Sequence, residues 1–409
     1  MSYLRFKLRQ LLQRMWFLPA AFSGIALLTI VIAYLLALYA PEELPFIMPA
    51  NAVQTILQIL ASSLLTVAVF ALSTVVSAFS GASAATTPRA VPLIAGDLRA
   101  QTSISVFIGA FLFSIVGIIG LSIGIYSEAG RLFLFVVTLS VVVLVVTSLI
   151  RWIGQISAIG RVGYTIGAVE KATRDAINVM EEFPYLGGQR LDWEPEGEAI
   201  PAPISGYVQH CDMPALQRVA EEHDLKISVM ARPGAYATPV KPLALVEGRL
   251  DDDLRERISE CFVLGESRTY DSDPRFGMIV LGEIGDKAMS AGINDPGTGI
   301  VVIDTATRLL LDWKEERQEV RYDRVFVSRI RPADVLDDVY RPTARDGAAI
   351  LEVMIRLMKS LETVAECNPA FTRAAHDFAR QTLRRAEAAM KLDDDFEVLK
   401  KVADWVEPA

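Results

Sequence analysis

Seven polar side chains gather in one stretch: Arg268, Asp271, Asp273, Asn294, Asp295, Thr298 and Asp304. Carboxylates grouped in this way bind a metal through oxygen ligands or divide the work of general acid and base. The same residues have a plainer use. Asp273-Pro274 and Asp295-Pro296 each read as an N-cap followed by proline at the first helical position. Asp304 falls inside an apolar helical run. Capping is therefore the expected role of Asp273 and Asp295, while Arg268, Asp271, Asn294, Asp295, Thr298 and Asp304 stand as ligand-binding candidates.

His210-Cys211-Asp212 suggests a nucleophile. Successive side chains of a strand point to opposite faces, however, so Cys211 cannot easily meet both neighbours. The chain has no Gly-x-Ser-x-Gly, no His-Glu-x-x-His, no phosphate-binding loop and no dinucleotide fingerprint. Three widely spaced cysteines (Cys211, Cys261, Cys367) and three histidines (His210, His223, His376) give neither a disulfide framework nor a zinc pattern. No catalytic residue is assigned, and no metal or cofactor is expected.

A second set of candidates lies in apolar surroundings. Ser73, Ser77 and Ser80 recur at i, i+4 and i+7, so their hydroxyls share one helix face. Such a face in lipid turns toward a partner helix or water. Gly117, Gly120 and Gly124 follow the small-residue spacing that lets helix backbones approach. Packing within the chain is their expected use, and a subunit interface is the alternative. Between these two segments lies a stretch that mixes Pro88 and Pro92 with Val91, Leu93 and Ile94, together with Arg89, Asp97 and Arg99. It reads as a short interfacial segment in which Arg89 pairs with Asp97 and Gln101 sits at an inner pore mouth.

The elements that position these residues are set by charge-free runs. Leu44 to Pro88 holds no charged residue in 45 positions. Met15 to Pro41, Ala100 to Ser127 and Leu132 to Ile150 are equally free of charge. A helix crossing hydrocarbon needs about 20 apolar residues. Four spans follow: 17–38, 53–76, 103–125 and 132–153. The first is longer than the apolar core of a signal peptide. No ionisable group lies at mid-depth, which argues against a proton-coupled pump but not against a pore lined by hydroxyls.

Charge sets the expected orientation. Arg5, Lys7, Arg9 and Arg14 precede the first span, Arg89 and Arg99 divide the second from the third, and Arg151 closes the fourth. Lys and Arg favour the cytoplasmic side, so both termini are expected there, in a multi-pass protein of a bacterial inner membrane. Residues 1–153 carry 8 Lys or Arg against 4 Asp or Glu, and the rest 32 against 45. An acidic cytoplasmic part disfavours nucleic acid. The expected partners are the lipid bilayer and further copies of the chain.

After the fourth span, 154–200 reads as an amphipathic connector ending in a boundary rich in Gly, Pro and acid. From Ile204 the pattern is β-α-β-β: a strand over 205–212, a helix over 213–223, and strands over 225–232 and 242–246. Helices over 274–290 and 296–316 and a strand over 320–329 complete an α+β domain at 201–340. Helices near 347–367, 369–390 and 394–405 form a C-terminal segment at 341–409. The fold class is an α-helical membrane domain of four transmembrane helices, followed by an α+β cytoplasmic domain and C-terminal helices.

Several of these residues carry a resemblance. Thr87-Pro88-Arg89, Asp97, Gln101, Phe107 to Phe113, Ser205-Gly206-Tyr207-Val208, Arg232-Pro233-Gly234 and Ile293-Asn294-Asp295-Pro296, with Thr298 and Asp304, resemble the bacterial predicted membrane proteins grouped as domain of unknown function 2254. The likeness covers nearly the whole chain. That family's pattern usually reads Asn-Asp-Pro-Phe-Thr-Ala, and here Gly297 and Gly299 replace the Phe and the Ala. The resemblance implies a membrane domain followed by a cytoplasmic domain and brings no activity. The reading drawn from the sequence is an oligomeric, channel-like pore with a cytoplasmic regulatory domain whose acidity concentrates cations at the inner mouth. The alternative is a membrane-anchored enzyme or ligand-sensing scaffold using the Asn294/Asp295 region.

Overall fold

The computed structural model describes residues 17–39, 50–95, 98–314 and 319–406. The chain divides into two compact units. Of the described residues, one holds those within 17–85 and 91–164, and the other those within 86–90 and 165–406. Asp97 and the first 16 residues lie outside the described residues.

The first unit is helical: α1 (Phe17–Tyr39), α2 (Ala50–Ala85), the short α3 (Val91–Ala95), α4 (Leu98–Ile123) and α5 (Glu128–Ile159). Three of these helices are long and apolar enough to cross a membrane, through Asn51–Ala85, Gln101–Ile123 and Glu128–Ile156, and Phe17–Ile32 is a shorter apolar stretch. The helices pack through Leu57, Phe113, Tyr126 and Leu134 at one level and through Leu64, Phe107, Ala110 and Trp152 at another. Their outer faces present Ile25, Leu28, Ile59, Phe70, Leu139 and Ile150, all more than half exposed. An apolar surface this continuous is not sustained in water and is what hydrocarbon accepts.

Hydroxyls buried among these helices spend their protons locally. Ser105, Ser114 and Thr138 donate to the carbonyls of Gln101, Ala110 and Leu134, one turn back. That arrangement lets a hydroxyl sit in an apolar core without an unpaired proton. Gln101 is buried as well, and its amide donates to the Ala95 carbonyl at 2.8 Å. It joins α4 to the end of α3.

The glycines of α4 have local uses within the chain. Gly124 has φ +75 and stops the helix. Its N–H donates to Leu121 O at 3.2 Å and that of Ile125 to Gly120 O at 3.2 Å, the two bonds of a Schellman cap. Gly120 makes room for the chain that follows, since a β-carbon there would lie 2.6 Å from the Tyr126 ring. Gly117 faces Leu57 of α2 in the same way, at 3.1 Å. Gly117 and Gly120 thus serve packing within the chain, and Gly124 serves the helix stop. Gly124→Ala places a β-carbon at positive φ and is expected to cost about 1–2 kcal/mol. Gly120→Ala, which must expel Tyr126, is expected to cost more. Thermal unfolding in detergent checks the order of the two.

The second unit begins within α6 (Val162–Glu182), at Thr165. A five-stranded sheet has the order β1 (Gly188–Leu191), β8 (Tyr322–Ser328), β4 (Lys226–Val229), β6 (Ala244–Glu247), β2 (Glu198–Ile200). β8 runs parallel to both β1 and β4, and the remaining pairs are antiparallel. A smaller antiparallel sheet orders β5 (Tyr236–Ala237), β3 (Gly206–Cys211) and β7 (Phe262–Gly265). Helices α7 (Met213–Glu222) and α8 (Asp252–Glu260) belong to this part. The helical part comprises α9 (Pro274–Met289), α10 (Pro296–Asp312), α11 (Pro332–Asp346), α12 (Leu351–Cys367), α13 (Thr372–Ala389) and α14 (Asp393–Val402).

Two expectations change here. The stretch at 181–201 holds β1 and β2, the two edge strands of the larger sheet, where the sequence suggested a boundary. Edge strands are short and polar, so their composition resembles a linker. Helix α11 was not among the expected elements, and it keeps Pro342 inside it. Its core face nonetheless buries Val335, Leu336, Val339 and Tyr340.

Candidate functional site

The segment Thr86–Ala90 lies between α2 and α3 in sequence, yet it packs as part of the second unit. Thr87 and Pro88 end α2, and Ala90 N–H donates to Thr87 O at 3.1 Å to close a tight turn. Thr86, Thr87 and Ala90 are buried. The Thr87 hydroxyl donates to Glu283 Oε2 at 2.9 Å, and the Arg89 guanidinium pairs with Glu283 Oε1. Arg89 is therefore held by Glu283, on α9, while its expected pairing with Asp97 lies outside the described residues. Tyr270 donates its phenol proton to the Arg89 carbonyl at 3.0 Å. Burial pushes the Tyr270 phenol up, which keeps it a donor. The Arg89–Glu283 pair is partly exposed and contributes about 0–1 kcal/mol. Burial of the turn supplies the rest of its hold, and the ion pair fixes its register.

Behind Tyr270 stands a buried pair. Asp273 caps α9 by accepting from Phe276 N–H at 3.2 Å. Its carboxylate also takes both arms of Arg268, at 2.8 and 2.9 Å. Burial lifts the Asp273 carboxyl above its ordinary range, and the Arg268 charge pulls against that. Arg268 lies 5.3 Å from the Phe276 ring, and that ring packs on Tyr270 with centroids 4.6 Å apart. Gly234, at φ +92, completes the site, because a β-carbon there would collide with the Asp273 carboxylate. Its N–H donates to Val208 O at 2.8 Å, tying the Arg232-Pro233-Gly234 turn to β3. Asp271 is half-buried in the same loop.

The structure thus joins Thr87, Arg89, Arg268 and the Gly234 turn into one cluster. It keeps Asn294, Asp295 and Thr298 in a separate exposed turn. Asp295 caps α10, accepting from Thr298 N–H at 3.0 Å and from the Thr298 hydroxyl at 2.6 Å. Those two bonds, the hydroxyl first, lower its pKa. Asn294 adopts φ +47 in the turn before it. Asp304, on α10, pairs with Arg356 of α12 and not with Asp295. Among the described residues no cluster of three or more His, Cys, Asp or Glu could hold a metal ion. Cys211 is buried beside Met213, and burial pushes its thiol well up, so it is no nucleophile.

Sequence reasoning missed Glu283 and Tyr270. Glu283 had a signal: a carboxylate between Gly282 and Ile284, on a helix whose neighbouring residues are apolar or glycine.

A family model described as predicted membrane protein (DUF2254) matches residues 13–363. The chain belongs to this family. An uncharacterized protein of Mycobacterium tuberculosis and another of Mycobacterium bovis are each 29% identical to it over 140 residues. The alignment covers 32% of this chain and 27% of each relative. No solved structure matches the chain.

The two aspartate caps are expected to behave differently. Asp295→Asn keeps an acceptor for Thr298 and should leave stability near wild type, while Asp295→Ala should cost about 0.5–2 kcal/mol. Arg268→Ala strands the buried Asp273 carboxylate and should cost about 3–5 kcal/mol. Denaturant or thermal unfolding of the three variants ranks them.

Proposed function

We propose that the chain is a multi-pass protein of a bacterial inner membrane, crossing it four times with both termini in the cytoplasm. In this reading several copies enclose a conduit lined by α2, and the soluble unit governs its inner end. The observation that carries the reading is the turn Thr86–Ala90. It continues directly from α2, the helix with the hydroxyl face, yet Glu283 and Tyr270 of the soluble unit hold it. In this reading a shift of α9 reaches the last turn of α2 through Thr87, two residues beyond its end. Switches of this kind need an element that both ends can bias.

Ser73, Ser77 and Ser80 support the conduit. They are exposed on α2, while Ala71 and Val75 face the packed interior. Turned outward from a single chain, they are available to line an axis shared by several copies. The enzyme alternative loses its support at Asn294 and Asp295, where the carboxylate is committed to its own helix start and the site is open to water.

Full-length protein in planar bilayers is expected to conduct, with cations favoured. Glu283→Gln keeps the Thr87 hydrogen bond and removes the charge pairing with Arg89, so open probability should change while unfolding temperature stays close to wild type. Absence of conductance under every ionic and tension condition sinks the pore.

Orientation has its own test. In a background carrying Cys367→Ser, with Cys211 and Cys261 buried, an impermeant thiol reagent outside the membrane should label Glu128→Cys and spare Glu198→Cys. Labelling of Glu198→Cys from outside would reverse the orientation.

A further inference from the structure

We infer that the groove between α10 and α12 binds a phosphate-bearing small anion. This inference does not depend on the pore. The groove measures about 260 Å³ and is lined by Asp304, Thr307 and Arg308 of α10 and by Arg356, Lys359, Ser360 and Thr363 of α12. Every lining residue is polar or charged, and three are basic, in a soluble unit where acids outnumber bases.

The two arginines are set from behind. Glu170 of α6 grips Arg308 with two bonds, Nε to Oε1 at 3.0 Å and Nη2 to Oε2 at 2.8 Å. Arg308 Nη2 also donates to the Thr305 hydroxyl at 3.1 Å. Asp304 takes Arg356 at its Nε. Each carboxylate fixes one edge of a guanidinium and leaves Nη protons on the other: Nη1 of Arg308, and both Nη groups of Arg356. Fixing the fork beforehand removes side-chain entropy that binding would otherwise cost. Lys359 stands one turn beyond Arg356, exposed and without an ion-pair partner among the described residues. Glu170, Asp304, Arg308, Arg356 and Lys359 together keep one positive charge unanswered.

The hydroxyls narrow the ligand class. Thr307 donates to Ile303 O at 2.7 Å and Thr363 to Lys359 O at 2.8 Å. With the Thr307 proton so placed, Ser360 donates to Thr307 at 2.6 Å and Tyr340 to Ser360 at 2.7 Å. Tyr340 is wholly buried, and its phenol, pushed up to about 12 by burial, holds its proton. No hydroxyl proton remains for a ligand. The cations supply the donors for an anion, and the Thr307 and Thr363 oxygens accept from hydroxyls that the ligand brings. A phosphate ester of a small polyol offers both halves, and planar guanidinium forks match phosphate oxygens. The volume lies just below the usual range for small-molecule pockets, which limits the ligand to about the size of a pentose phosphate. The same phosphate chemistry is presented by a lipid headgroup.

Calorimetry on full-length protein in phosphatidylcholine nanodiscs tests this. Ribose 5-phosphate is expected to bind more tightly than inorganic phosphate, and ribose to give no heat. Lys359→Glu should weaken ribose 5-phosphate at least tenfold, with no change in unfolding temperature because Lys359 is exposed and unpaired. Arg356→Gln should weaken it similarly, and raising salt should weaken it in wild type. Loss of ribose 5-phosphate binding in phosphatidylglycerol nanodiscs, restored by phosphatidylcholine, would identify the headgroup as the source of the anion. No binding of either phosphate in either nanodisc, or binding that Lys359→Glu leaves intact, overturns the assignment.

Discussion

A carboxylate removed from water must meet an opposite charge at close range, and Asp273 meets one in Arg268. Several other features follow from that pair. Two guanidinium arms on one carboxylate leave no room for a β-carbon at position 234, so the turn joining β4 to β5 must carry glycine there. The same carboxylate starts α9, and α9 carries Glu283. Arg268 lies beside Phe276, and Phe276 supports Tyr270. The turn at 86–90 is thus held by two residues whose positions both trace to one buried ion pair. Replacing such a pair with apolar residues is often neutral for stability. What it provides here is position: a loop, a helix start and a distant segment of chain are brought to one point.

Much of the architecture was legible in the sequence because it rests on local rules. Charge-free runs give the apolar helices, and Asp-Pro gives the starts of α9 and α10. Short apolar runs bounded by turn residues give β3, β4, β6 and β8. Residues that answer to distant partners could not be read in this way. Arg89 had a nearby acid in Asp97, and nothing in the sequence paired it with Glu283. The Gly120/Gly124 spacing suits a helix interface and a Schellman cap equally well, and only the fate of Ile125 and Tyr126 separates them. Pro342 argues against a helix locally, while four buried apolar side chains on α11 outweigh it. The strands at 188–191 and 198–200 are too short and too polar to show a period.

The hydroxyls carry a related lesson. Serine and threonine in an apolar helix look like a water path when counted along one face. Where they are buried, at Ser105, Ser114 and Thr138, each bonds to a carbonyl of its own helix and is as inert as an alanine in packing terms. Position on the outer face of α2, not residue type, distinguishes Ser73, Ser77 and Ser80. The groove between α10 and α12 follows the same logic: what matters is where each hydroxyl proton goes.

The sheet order bears on how the chain is made. β1 is synthesised first among the strands, but its partner is β8, and β4 also waits for β8. Strand pairing across so many intervening residues carries a loop-closure cost that only late contacts repay. The turn at 86–90 waits longer still, since Thr87 finds Glu283 across a separation of 196 residues. The apolar helices leave the ribosome well before either event. A nascent chain therefore passes through a stage in which its apolar helices are complete while the segment between α2 and α3 has nothing to grip. The segment at 86–90 gains its partners only once Tyr270 and Glu283 have been made.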